Sequence, residues 1–299
     1  PVKRLLAALS LLLSAWPALA AVNVFATLPE WGALAQEIGG DKVKVFTATH
    51  ALQDPHRIEA RPSLLAQARR AQLVVATGAD LEIGWLPLAV RDSGNPAIQP
   101  GQPGYFEAAQ YVQRLEVPAV VDRVHGDVHP AGNPHFQLDP RNLIKVGEAL
   151  AGRLAAIDPA NGPAYAAGYQ SFAARMKEAI PRWEKQAAPL RGVPVIVQHK
   201  TFSYLIAWLG MKEVATLEPK PGVEPTSGYL TEVLARQKSQ PARLILRAAY
   251  QNEGPSAWMS REAKIPVVVL PFTVGGTPAA KDLFSLFDDT LARLLKGLE

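Results

Sequence analysis

Cysteine is absent from all 299 residues. The chain therefore forms no disulfide. It offers no thiolate for a zinc site, so any metal it binds is held by imidazole and oxygen. The lipid anchor of bacterial lipoproteins needs a cysteine at the cleavage site, and there is none. Excess charge is missing too: 31 Lys and Arg stand against 27 Asp and Glu, a formal +4. So near-neutral a balance points to neither a nucleic-acid nor a membrane-surface partner. There is no Gly-rich phosphate loop, no nucleophile elbow and no His-Glu-x-x-His helix.

Long apolar runs are also missing, except at the start. Lys3 and Arg4 precede a mostly apolar run from Leu5 to Trp16, and Ala18-Leu19-Ala20 supplies a small-x-small cleavage pattern. The run is too short for a comfortable membrane span. Residues 1–20 are therefore read as an export signal, with the mature chain expected to begin near Ala21. Losing Lys3 and Arg4 takes the formal charge from +4 to +2. No direct membrane insertion is expected. In a bacterium with two membranes, the mature chain is expected in the periplasm, as a monomer.

What is present is a regular alternation of short apolar runs and amphipathic stretches. Strands are expected at Val22 to Ala26, Val43 to Thr47 and Leu73 to Ala76, with helices from Pro29, from Pro62 and over Ala79 to Val90. Residues 92–106 are rich in Gly and Pro and read as loop, with a further strand expected near Val117 to Val121. Asp139 with Pro140 is a helix start. A long helical pattern follows from Pro163 to about Ala188, interrupted only by Pro181. The second half repeats the style, with strands at Val193 to Val197, Val214 to Leu217, Arg243 to Leu246 and Val267 to Leu270. The expected fold is α/β: two doubly wound lobes, each a mostly parallel sheet flanked by helices, joined by one long spine helix. The boundaries are 21–160 for the first lobe, 161–188 for the spine and 189–299 for the second lobe.

Six histidines are present, and three have a distinctive setting. Asp54-Pro55-His56 and Asn133-Pro134-His135 each place a histidine directly after a proline, whose fixed φ stiffens the backbone. His199 follows the apolar run 193–197 with only Gln198 between. His56 and His199 come after strands, one in each half, and ligands of open α/β sheets bind beyond the carboxyl ends of strands. These three histidines form a candidate metal site assembled across the lobes. His50, His125 and His129 read as surface or core residues.

Several segments resemble the metal-binding subunits of bacterial ABC importers for zinc and manganese, the cluster A-I solute-binding proteins. Asp54-Pro55-His56 with Glu59, Pro62 and Ser63 is similar to the family's first motif. Residues 71–78 (AQLVVATG) resemble the strand that follows, and residues 133–142 (NPHFQLDPRN) and 199–211 (HKTFSYLIAWLGM) resemble the second and third motifs. The likeness runs in order from about Val22 to the C-terminus. It implies two α/β lobes on one long helix, a single metal in the cleft, and delivery to the membrane permease of an ABC importer. It implies no enzymatic activity. His56, His135 and His199 fall on the family's ligand positions, and His199 stands where manganese-type members often carry a carboxylate. Three imidazoles favour Zn²⁺ over Mn²⁺.

The fourth ligand departs from the family. Its usual aspartate after the last strand is replaced by Leu270-Pro271-Phe272-Thr273, which leaves Asp282, Glu59 or water. Asp54, Asn133 and Asp139 are placed to orient ligands, or to serve turns and a helix cap. The reading with most support is a periplasmic high-affinity zinc-binding protein. Its alternatives are a manganese-type binding protein, a periplasmic zinc chaperone and a three-histidine zinc hydrolase.

Overall fold

The computed structural model describes residues 20–118 and 129–299. The expected export signal, His125 and most of the strand expected near Val117 to Val121 lie outside the described residues. Two four-stranded sheets, wholly parallel, carry the fold. The first contains β1 (Val22–Ala26), β2 (Val43–Thr47), β3 (Leu73–Ala76) and β4 (Tyr105–Glu107) in the order β2-β1-β3-β4. The second contains β5 (Pro194–Val197), β6 (Lys212–Thr216), β7 (Leu244–Ala248) and β8 (Val267–Leu270) in the order β6-β5-β7-β8. The two orders are the same once the second is renumbered. In each, the chain leaves a central strand to one side and returns on the other, so a crevice opens beside β1 and beside β5.

Between the strands run α1 (Pro29–Gly39), α2 (Pro62–Arg70), α3 (Leu86–Asp92), α4 (Pro140–Ile157), α5 (Gly162–Gln186), α6 (Ser203–Leu209), α7 (Ser227–Arg236), α8 (Gly254–Ala263) and α9 (Leu283–Gly297). Local chemistry sets their ends. Proline occupies the first turn of α1, α2, α3 and α4, where its missing N–H costs nothing. Asp139 caps α4 by accepting from the Arg141 N–H at 3.0 Å, and its carboxylate also pairs with the Arg141 guanidinium. Gly210, with φ 69°, ends α6 in the left-handed region that glycine enters without a Cβ clash.

The spine expected over 161–188 appears as α5. Its buried side chains Tyr165, Phe172, Met176 and Trp183 recur at seven- and four-residue spacings, which puts them on one stripe. Pro181 does not break the helix. It is exposed, so the hydrogen bond it forfeits lies on the solvent side. Arg175 ties the two halves together: it pairs with Glu37 of α1 and lies 4.8 Å over the Phe284 ring of α9. Trp183 packs 5.0 Å from the Phe287 ring and donates to Asp288 Oδ1 at 2.7 Å. Trp183→Ala is expected to cost about 3–5 kcal/mol by cavity formation, measurable in urea unfolding of the apo protein.

Two elements differ from expectation. β4 lies in the stretch read as loop, because a three-residue strand gives little alternation to detect. Residues 79–85 form turns in place of helix, since Ala79 and Asp80 adopt φ of 51° and 62° directly after Gly78 at 76°. The carboxylate of Glu82 fixes this strained turn by accepting from the Thr77 N–H at 2.7 Å and the Gly78 N–H at 3.1 Å.

A buried carboxyl joins the lobes. Glu30, in the first turn of α1, accepts from the Thr273 hydroxyl beyond β8 at 2.5 Å, while its Oε1 has no partner. Burial, aided by the charge of Glu82, pushes its pKa up to about 7 against the opposing hydrogen bonds. A carboxyl whose folded pKa lies above its unfolded value stabilises the fold only while protonated. That contribution is full below the unfolded pKa near 4.5, fades as pH rises from there, and is gone above about 7. Glu30→Gln, which cannot ionise, is therefore expected to gain stability relative to wild type as pH rises from about 4.5 to about 7, by roughly 1.4 kcal/mol per pH unit at most, and to hold a constant lead above that. Melting temperatures of both proteins between pH 4.5 and 7.5 check this; parallel curves between about 4.5 and 7 would contradict it.

Candidate metal centre

The two Asx-Pro-His words fold into the same local unit. Asp54 Oδ1 accepts from the His56 backbone N–H at 3.0 Å and lies 2.8 Å from His56 Nδ1. Asn133 Oδ1 does the same for His135, at 2.9 and 2.8 Å. Turn chemistry and ring orientation are one device here. The side chain that stabilises the turn also holds the imidazole. His199, one residue past Gln198 at the end of β5, is oriented by Glu218, whose Oε2 lies 2.7 Å from Nδ1. These oxygens can only accept, so each Nδ1 carries the proton and each Nε2 keeps its lone pair.

The three rings converge. Centroids of His56 and His135 are 5.5 Å apart, those of His56 and His199 5.6 Å, and those of His135 and His199 5.4 Å. One nitrogen from each lies within 4.8 Å of the others. That is within reach of a single cation. Nε2 of His56 and of His135 is buried without a hydrogen-bond partner, a costly arrangement unless a ligand takes up the lone pairs. Burial, then the neighbouring imidazoles of His199, His56 and His129, holds the His135 pKa well below the ordinary value, so this ring stays neutral and ready to ligate. The Asp54 carboxylate is raised by its burial, but hydrogen bonding and charge from His56 outweigh that and leave its pKa below the ordinary value. Asp54 and Glu218 thus place negative charge behind the rings and strengthen them as donors.

Both lobes build the centre. Asn133 Nδ2 donates to Glu116 Oε2 and to the Lys200 carbonyl, each at 2.8 Å, and the Tyr204 hydroxyl donates to the Asn133 carbonyl at 2.6 Å. Two recesses open onto the rings. One, of about 210 Å³, is lined by Asp54, Glu218 and Tyr250 among others; the second, of about 320 Å³, by Glu116, His129 and Lys200.

Asp282 does not join the centre. Its Oδ1 accepts from the Phe284 and Ser285 N–H groups at 2.9 and 2.7 Å in a capping box at the start of α9, and the residue is exposed. Glu59 is exposed and absent from the ligand cluster. The position of the family's usual aspartate is filled by an aromatic wall, with the buried Phe272 ring 5.7 Å from His135. His129, read as an ordinary surface or core histidine, instead faces the cluster: its ring stacks on His56 at 5.4 Å. Burial first, then His56 and His199, pushes its pKa down to about 3. His50 is exposed, as expected of a surface residue.

Glu218 was not singled out by sequence. A signal was there: it follows β6, the neighbour of β5, on the same carboxyl rim as His199. His129 had one as well, since Pro130 directly follows it.

Two parallel sheets and an imidazole cluster in the cleft define a two-lobed metal-binding protein. The chain belongs to the ZnuA family, described as zinc-uptake complex component A, periplasmic, whose family model matches residues 24–297. It is thus a metal-binding substrate-binding protein of the ABC-transporter type, a family that is not enzymatic and works with a membrane permease. It is 22% identical over 274 residues to the manganese ABC transporter substrate-binding lipoprotein PsaA of Streptococcus pneumoniae, covering 89% of this chain and 85% of that one. It is 22% identical over 290 residues to the zinc-binding lipoprotein AdcA of S. pneumoniae strain R6, covering 91% of this chain and 55% of the relative. A crystal structure of ZnuA superimposes with a TM-score of 0.78 at 20% identity, over 93% of this chain and all of the other. Among the described residues, no helix is long and apolar enough to cross a membrane.

Proposed function

We propose that this protein captures Zn²⁺ in the periplasm, on His56, His135 and His199, and hands it to the permease of an ABC importer. The observation that carries the reading is the donor set: three imidazoles whose Nδ1 atoms are all held by side-chain oxygens, with no carboxylate in the ligand cluster. Manganese favours a larger share of oxygen ligands, whereas imidazole suits zinc. The lobes at 21–160 and 189–299 meet at the cation, and the segment 161–188 connects them. Since α5 is pinned to α1 and α9, release proceeds by small tilting and not wide hinge closure.

The test is metal analysis of the protein isolated from periplasm, together with import of zinc in cells. One zinc per chain and zinc-limited growth on deletion are expected. Stoichiometric manganese, or normal zinc import without the protein, would overturn the reading.

A further inference from the structure

We infer that His129 is the fourth ligand, completing an all-imidazole set around the cation bound by His56, His135 and His199. The inference rests on the zinc reading above and deepens it.

His129 shares the preparation seen in the other three rings. Its ring donates a hydrogen bond to the Ala79 backbone, and its Nε2 is buried without a partner. The donor is therefore Nδ1, and the Nε2 lone pair is left free, as in His56 and His135. The acceptor is set with care. Ala79 lies in the strained turn with Gly78 and Asp80, and the buried Glu82 carboxylate anchors that turn through the Thr77 and Gly78 N–H groups. Strain in a non-glycine backbone persists where the surroundings enforce it, often at a binding site.

Placement agrees. The His129 ring lies 5.4 Å from His56, stacked at 30°, and 6.4 Å from His135, edge-on at 83°. It lines the recess that also exposes His135 and His199. Its nitrogen lies outside the tight group of three, so ligation requires the ring to swing inward from its stack on His56. On the opposite wall Phe272 covers His135, the Asp282 carboxylate is engaged in capping α9, and Glu59 is exposed. Four nitrogens also sharpen selectivity: Zn²⁺ accepts a tetrahedral nitrogen set, whereas cations that want oxygen gain nothing from a fourth imidazole.

The test is zinc titration of the full chain by competition with a chromophoric chelator, for wild type, His129→Ala, His129→Phe and His56→Ala. His129→Phe keeps a ring to stack on His56 but removes the nitrogen. Both His129 variants are expected to lose about 10²- to 10³-fold in affinity, with the visible bands of the Co²⁺-loaded proteins shifting as water replaces an imidazole. Wild-type affinity in His129→Phe would overturn the inference, because stacking and not ligation would then be its role. Unchanged affinity in both His129 variants, with loss in His56→Ala, would overturn it while leaving the three-histidine site standing. Unchanged affinity in His56→Ala as well would overturn the zinc reading itself.

Discussion

His135→Ala is expected to lose stoichiometric zinc and yet to fold. His135 is 1% exposed, and its Nε2 has no protein partner. Removing the ring removes a buried polar atom that the apo protein leaves unsatisfied, so the cavity it leaves is partly offset. Zinc, however, loses one of its strongest anchors. Structural zinc sites of four ligands bind with roughly 10–16 kcal/mol, so one imidazole is worth about 3–4 kcal/mol, or roughly 10²- to 10³-fold in Kd. Thermal melts separate the two effects. The apo variant is expected to melt near apo wild type, while zinc raises the wild-type midpoint by several degrees and the variant's hardly at all. A variant that melts early in both states, with an unchanged zinc-induced rise, would make His135 a packing residue.

The second large effect is the pH dependence of affinity. Metal competes with protons for imidazole. His135 is kept neutral by burial and by its imidazole neighbours, so it contributes no competing proton as pH falls through the usual histidine range near 6.5. His129 behaves likewise down to about pH 3. Zinc affinity is therefore expected to weaken as pH falls from 7.5 to 5.5, with a slope of at most two protons per ion. A slope of three or more would show that the buried rings titrate with the rest. Apo stability follows the same linkage. Below about pH 6.5 the unfolded chain takes up protons that these two folded histidines refuse, so stability falls with pH. Glu30 acts in the opposite sense, lowering stability as pH rises from about 4.5 to about 7. With two histidines against one carboxyl, these groups put the maximum near pH 6.5, with a small fall to a plateau above about pH 7.

Much of this was legible in the sequence because most sheet strands are short, largely apolar runs set between helical patterns. β1, β2, β3 and β8 have the expected residues, and the helices after β1 and β2 begin at Pro29 and Pro62 as expected. The Pro-His words were legible for a physical reason: Asp54 and Asn133 each stabilise a turn and a ring with one oxygen. What was hidden depended on tertiary contact. Leu81, Trp85, Leu86 and Ala89 keep a helical period, but Glu82 anchors the backbone before them in a left-handed turn. Asp282 follows a strand end closely enough in sequence to suggest a ligand, yet Phe284 and Ser285 engage its carboxylate. His129 gave only a proline neighbour; its inward direction comes from Ala79, fifty residues earlier in the chain.

The central claim is that one cation is held by the imidazoles of His56, His135 and His199. Zinc K-edge X-ray absorption of the singly loaded protein tests it most directly. The expected spectrum has a first shell of nitrogen at about 2.0–2.1 Å, with the outer-shell scattering of at least three imidazoles. Two or fewer imidazoles, in a shell dominated by oxygen, would contradict it.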